Sequence, residues 1–183
     1  MTVEFAIAIV FVAVAGWGIL IYNRFIADKN RIKAAWSDID VQLKRRHDLI
    51  PQLVELVKSY AAYERETLED ITALRSKSEV TKRVGEIGQI ESELGGKVEL
   101  VVARAEAYPD LKANESFLSL QKNLTEVEDY IQYARRYYNG AVRIFNTRLD
   151  VFPQLIVARL FKFLPEDFFQ IEEDSQRAAP RIT

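Results

Sequence analysis

Apolar residues punctuate this chain at a helical period almost from end to end. From Phe5 to Tyr22 the run "FAIAIVFVAVAGWGILIY" carries no charge. About 18 helical residues, rising ~1.5 Å each, nearly cross a ~30 Å hydrocarbon core, so residues 1–23 are read as a transmembrane anchor. Ala13-Val14-Ala15 resembles a signal-peptidase cleavage site. The start "MTVE" nevertheless holds Glu4 without Lys or Arg, and the apolar run continues past Ala15, which argues for an anchor. Arg24, Lys29, Arg31 and Lys33 follow closely, and the positive-inside rule then puts the C-terminal part in the cytoplasm, on a cell inner membrane.

Beyond the anchor, Ile32, Trp36, Ile39 and Leu43 step by four and three, one face of an amphipathic helix. The step resumes with Ile50, Leu53, Val57 and Tyr60, then Ile71 and Leu74. A third pattern, Leu94, Val98, Val101 and Ala105, stops at Tyr108-Pro109. A fourth runs from Phe117 through Leu120, Leu124, Val127, Ile131, Ala134, Tyr138 and Ala141 to Phe145, before Phe152-Pro153. No segment alternates like a strand, and "KSEVTKRVGEIGQ" reads as a polar connector. The expected fold is all-α: an antiparallel up-and-down four-helix bundle preceded by the N-terminal transmembrane helix. Its helices span about 24–47, 49–80, 87–107 and 115–152. The bundle domain, with a C-terminal apolar helical segment, occupies 24–170, and 171–183 is read as a flexible tail.

The boundary between the first two helices rests on "LKRRHDLIPQLVE". Lys44, Arg45 and Arg46 suit the negative end of a helix, Asp48 suits an N-cap, and Pro51 suits a first turn. The unbroken apolar period also allows one helix kinked at Pro51 and reaching Leu74. Such a helix would rise roughly 75 Å beside a third helix of about 30 Å, so four members fit better.

Composition narrows the chemistry. With 183 residues, 49% of them hydrophobic, and a net charge of -2, the chain can bury one domain core. Lys and Arg are spread along it without the basic face that nucleic acid requires. Cysteine is absent and His47 is the single histidine, so thiol chemistry is excluded. A dimetal bundle with two Glu-x-x-His pairs is excluded too, and no cofactor, metal or catalytic residue is assigned. His47 and Asp48 are adjacent and cannot face each other in triad geometry. Glu64, on the core-facing step, is expected to pair with a base such as Arg46 or Arg135. Glu128 and Arg135, and Asn139 and Asn146, are seven residues apart, a polar ladder that sets register or binds a ligand within the bundle. The segment "PQLIVARLFKFLPEDFFQ" either lies as an interfacial helix on the membrane or caps the bundle base. Arg159, Phe161, Lys162, Phe163, Phe168 and Phe169 are its candidate interface residues.

Three stretches, "AWSDIDVQLKRRHDLIPQLVELVKSYAAYE", "EAYPDLKANESFLSLQ" and "YARRYYNGAVRIFNTRLDVFP", resemble the hallmark sequences of the LemA family of bacterial membrane proteins. The likeness runs from about Tyr22 to Phe169. Gln52 stands where the family usually has asparagine, Tyr63 where histidine is common, and Phe145 where tyrosine is common. The resemblance implies a single N-terminal transmembrane helix, an antiparallel four-helix bundle and no established enzymatic activity. A relative in magnetosome-forming bacteria, implicated in building an organelle membrane, favours scaffolding. The expected function is therefore a non-enzymatic, membrane-anchored scaffold or adaptor whose partners are the bilayer, other membrane proteins or copies of itself. The alternative is an enzyme or ligand-binding protein with a cryptic polar site in the bundle core.

Overall fold

The computed structural model describes residues 2–60, 65–105 and 107–169, and every regular element among them is helical. The helices are α1 (Thr2–Lys58), α2 (Arg65–Val80), α3 (Val84–Ala105), α4 (Pro109–Lys112), α5 (Glu115–Asp150) and α6 (Gln154–Leu160). The third and fourth long helices lie where the apolar period places them. The first two do not.

α1 passes through His47, Asp48 and Pro51 without ending. Its buried positions Ile21, Phe25, Asp28, Ile32, Ala35, Ile39, Leu43, Arg46, Ile50, Leu53 and Val57 keep one phase, stepping by three or four throughout. A helix that ended at His47 and restarted would shift that phase. The expected boundary at 47/48 is therefore wrong, and so is Asp48 as an N-cap: its side chain is exposed within the helix. Proline at position 51 removes the N–H that would bond the carbonyl of residue 47. Arg75 from α2 supplies the missing donor, its Nε bonding the His47 carbonyl at 2.9 Å. The helix thus keeps its course because a tertiary contact satisfies the acceptor that proline leaves free. α1 ends instead after Lys58, where Ser59 and Tyr60 close back on the carbonyls of Leu56 and Val57.

These features set an expected result. Asp48→Ala should change stability by less than about 0.5 kcal/mol, whereas loss of an N-cap would be worth about 1 kcal/mol. Arg75→Ala should cost about 1–3 kcal/mol by orphaning the His47 carbonyl, and clearly less in a Pro51→Ala background, where a backbone N–H returns. A double-mutant cycle by denaturant unfolding measures the coupling, and additivity of the two changes would refute the link.

The chain forms two compact units, one made of the residues up to Asp38 with Arg136–Asp167, the other of Ile39–Arg135 with the residues from Phe168. In the first unit, residues 3–20 of α1 are uncovered on nearly all sides, and this is a helix long and apolar enough to cross a membrane. Further along, Phe25 and Phe145, both fully buried, meet edge to face at 5.9 Å, and Phe163 stacks on Phe25 at 4.8 Å. Tyr138 donates to the Asp167 carbonyl at 2.9 Å. Burial, reinforced by the charges of Glu166 and Asp167, pushes this phenol up to about 12. Arg148 forms an ion pair with Asp28, and Lys29 with Glu166.

In the second unit the core is shared by Ile50, Leu53, Val54 and Val57 of α1, Leu68 and Ile71 of α2, Leu94, Val98, Val101 and Ala105 of α3, Leu111 of α4, and Phe117, Leu120 and Leu124 of α5. α2 and α3 pack on each other. Asn114 caps α5, its Oδ1 accepting from the N–H groups of Ser116 and Phe117.

Of residues 155–169, left open between an interfacial helix and a cap on the bundle base, only the part up to Leu160 is helical. α6 stops at Leu160 in a turn where the Lys162 N–H bonds the Arg159 carbonyl and the Phe163 N–H bonds that of Ala158. This is a Schellman motif with Lys162, at φ 55°, in the left-handed position usually given to glycine. The extended segment beyond it buries Phe169 fully and half-buries Phe163 and Phe168. Those three candidate interface residues therefore face protein, while Arg159, Phe161 and Lys162 face outward.

Candidate functional site

Arg46 occupies a core phase of α1 between Leu43 and Ile50, and Glu91 a core phase of α3 between Ile87 and Leu94. Opposite charges on two apolar stripes meet in the second unit. Arg46 Nη1 donates to Glu91 Oε2 at 3.1 Å and to the Glu91 main-chain carbonyl at 3.3 Å. Its Nη2 pairs with Glu128 of α5. His47 Nε2 donates to Glu91 Oε1 at 2.7 Å, and Ser78 Oγ of α2 donates to the same oxygen at 2.5 Å. On the far side of the ring, Nδ1 faces Glu79 at 3.8 Å, and Glu79 is paired with Arg75 at 3.0 Å. Arg46, His47, Ser78 and Glu91 are all buried.

Burial by itself would raise the Glu91 pKa. Hydrogen bonds from His47 and Ser78, with the charge of Arg46, outweigh it and hold the carboxyl below its ordinary value. Burial lowers the pKa of Arg46, an effect that Glu91 opposes.

Serine, histidine and a carboxylate have come together here, but in an order that does not activate the serine. A hydrolytic triad places histidine between serine and carboxylate so that the ring can take the hydroxyl proton. In this network the carboxylate stands in the middle and both neighbours donate to one of its oxygens. The group touching Ser78 is a carboxylate of depressed basicity, and Glu91 is only 3% exposed. Among the described residues no three His, Asp or Glu side chains form a metal-binding set.

Arg46 and Glu91 of the network also line an open groove of about 630 Å³ between α3 and α5. Gln121, Thr125, Glu128, Gln132 and Arg135 line it from a single face of α5, and Phe169 closes part of it. Its α3 wall is low because it contains Gly95 and Gly96; a Cβ on Gly95 would lie 3.7 Å from both Arg46 Nη2 and Glu128 Oε2, in ordinary contact. Glu128 and Arg135 of the expected polar ladder thus share this groove. Asn146 lies in the first unit, where its amide donates to the Glu166 carbonyl at 2.9 Å and accepts from the Glu166 N–H at 3.0 Å. It pairs with an extended backbone rather than with a neighbouring helix. Asn139 also belongs to the first unit and is half-buried. Glu64 lies outside the described residues.

Glu91 and Ser78 escaped the sequence reading. Glu91 carried a signal, an acid in the phase of Ile87, Leu94 and Val98; Ser78 carried none.

Residues 35–183 match the family model described as LemA family. The chain is 31% identical over 156 residues to Protein LemA of Metamycoplasma hominis, a match covering 82% of this chain and 69% of that protein. It is 24% identical over 175 residues to Magnetosome protein MamQ 1 and Magnetosome protein MamQ 2 of Paramagnetospirillum magneticum, covering 81% of this chain and 64% of each relative. The chain thus spans somewhat less than two thirds of the magnetosome proteins it matches.

Proposed function

Because the chain belongs to the LemA family, we infer that it works as a membrane-anchored helical scaffold or adaptor, acting through protein contacts or self-association without catalysing a reaction. The observation that carries this reading is the internal satisfaction of the polar network. Each buried group of Arg46, His47, Ser78 and Glu91 has its partner within the fold, which suits a structural tie rather than a reaction centre. α1, α2, α3 and α5 all contribute to the second unit's core, which supports their arrangement there as an antiparallel up-and-down four-helix bundle. The exposed apolar start of α1 supports a single-pass anchor. Similarity to proteins named as magnetosome proteins supports a role at a membrane.

The test removes chemistry without removing contacts. Ser78→Ala deletes the one buried hydroxyl of the network, and a scaffold should retain its cellular phenotype and its crosslinked neighbours in native membranes. Loss of phenotype in a folded Ser78→Ala chain would transfer the function to the network. The α3–α5 groove favours a second reading, a ligand site around Glu128, Gln132 and Arg135, because several polar groups converge on one concavity. Loss of phenotype in Arg135→Ala, with neighbours and stability unchanged, would select that reading.

Arg24, Lys29, Arg31 and Lys33 just after the apolar run support a cytoplasmic side for the C-terminal part. A reporter joined after Thr183 should be active only in its cytoplasmic form, and activity of a periplasmic reporter would reverse the topology.

A further inference from the structure

We propose that the first unit has a second membrane contact besides the apolar run of α1: an apolar foot, formed by the end of α5, α6 and the turn after it, that sits in the lipid headgroup and acyl boundary. The proposal rests on the membrane anchoring proposed above. Its basis is a run of side chains left outside. Val151, Phe152, Ile156, Leu160, Phe161 and Leu164 are between 46% and 74% exposed. α6 already buries an apolar face through Val157 and Ala158. Ile156 and Leu160, four residues apart, make its opposite face apolar too, an arrangement that water does not favour.

The Schellman turn at Lys162 sorts the aromatic residues. Phe163 turns inward onto Phe25, whereas Phe161 stays outward and meets the Tyr22 ring at 4.7 Å. Tyr22 ends the uncharged run of α1. The foot is therefore docked at the level where that run stops, and Ile19, three residues before Tyr22 on α1, is also uncovered. Tyrosine at the boundary, with Arg159 and Lys162 exposed on the foot, is the pattern by which a surface binds an anionic interface. Lipid is the fitting occupant because the same unit already presents residues 3–20 without a protein cover.

The native chain has no cysteine, so single cysteines carrying a nitroxide report each position in the full-length protein. The chain is reconstituted in vesicles of phosphatidylcholine and phosphatidylglycerol, and labels at Val10, Ile156, Leu160 and Tyr137 are compared by collision with oxygen and with a water-soluble nickel chelate. Val10 tests the anchor and Tyr137, exposed on α5, is the aqueous control. The expected result is an oxygen-to-nickel ratio at Ile156 and Leu160 shifted from the Tyr137 value toward that of Val10. An aqueous ratio at both, with Val10 in lipid, overturns the foot and leaves the anchor standing. An aqueous ratio at Val10 overturns the anchoring itself and the foot with it. Protection from both reagents, or spin–spin broadening between copies labelled at Leu160, assigns the patch to protein contact and also overturns the proposal.

Discussion

Arg46→Met is expected to destabilise the chain by about 3–5 kcal/mol, because it strands Glu91 as a buried carboxylate beside Ile87 and Leu94. The same change releases Glu128, which is 40% exposed and keeps its water, so most of the loss arises at Glu91. Arg46→Met with Glu91→Gln should recover at least about 2 kcal/mol, since glutamine still accepts from His47 and Ser78 without a charge to compensate. Chemical unfolding in detergent, followed by circular dichroism, measures all three chains. A loss below about 1 kcal/mol in Arg46→Met would show that the network does not hold the second unit together.

Acid provides an independent check on the same carboxyl. Glu91 has a folded pKa below the ordinary value of 4.5, so the stability it contributes is complete above that value. It is lost as pH falls below 4.5 and through the folded pKa. In Arg46→Met one of the influences that lower the pKa is gone while the burial that raises it remains, so protonation becomes a relief. The gap in stability between the two chains should narrow as pH is lowered from 7 toward 4, and a gap that widens would contradict the assignment.

The second large effect belongs to the first unit. Phe25→Ala should cost about 3–5 kcal/mol, because a fully buried ring is removed from between the edge of Phe145 and the face of Phe163. Phe145→Ala should be comparable, and the double substitution should fall short of the sum because both open one cavity. Phe161→Ala removes a ring that is more than half exposed and should stay within about 1 kcal/mol. Thermal unfolding separates these cases, and equal losses for Phe161→Ala and Phe25→Ala would place the aromatic cluster wrongly.

The apolar period made the helices legible and placed the core of α3 and α5 almost residue by residue, from Leu94 to Ala105 and from Phe117 to Phe145. The same period held the answer at Pro51, since it crosses the proline without a change of phase. Local stop and start residues suggested a boundary there; what overrides them is Arg75, a donor brought in by the tertiary fold and invisible to local rules. The polar centre was half legible. By sequence Arg46 is one possible partner for Glu64, which lies outside the described residues; among the described residues Arg46 pairs with Glu91 and Glu128. In the segment after Pro153, composition established that apolar side chains needed cover without establishing which ones found it. That choice is made by the left-handed turn at Lys162, where no glycine marks the site.

The bond from Arg75 to the His47 carbonyl has a consequence for descent. Its acceptor is main chain, which every residue at position 47 supplies, so the clamp survives replacement of the histidine. Its inheritance depends on Pro51, which vacates the carbonyl, and on Arg75, which fills it. A lineage that replaces the proline frees the arginine to drift, and one that loses the arginine gains by losing the proline as well. Across related sequences these two positions should change together while position 47 varies independently of them.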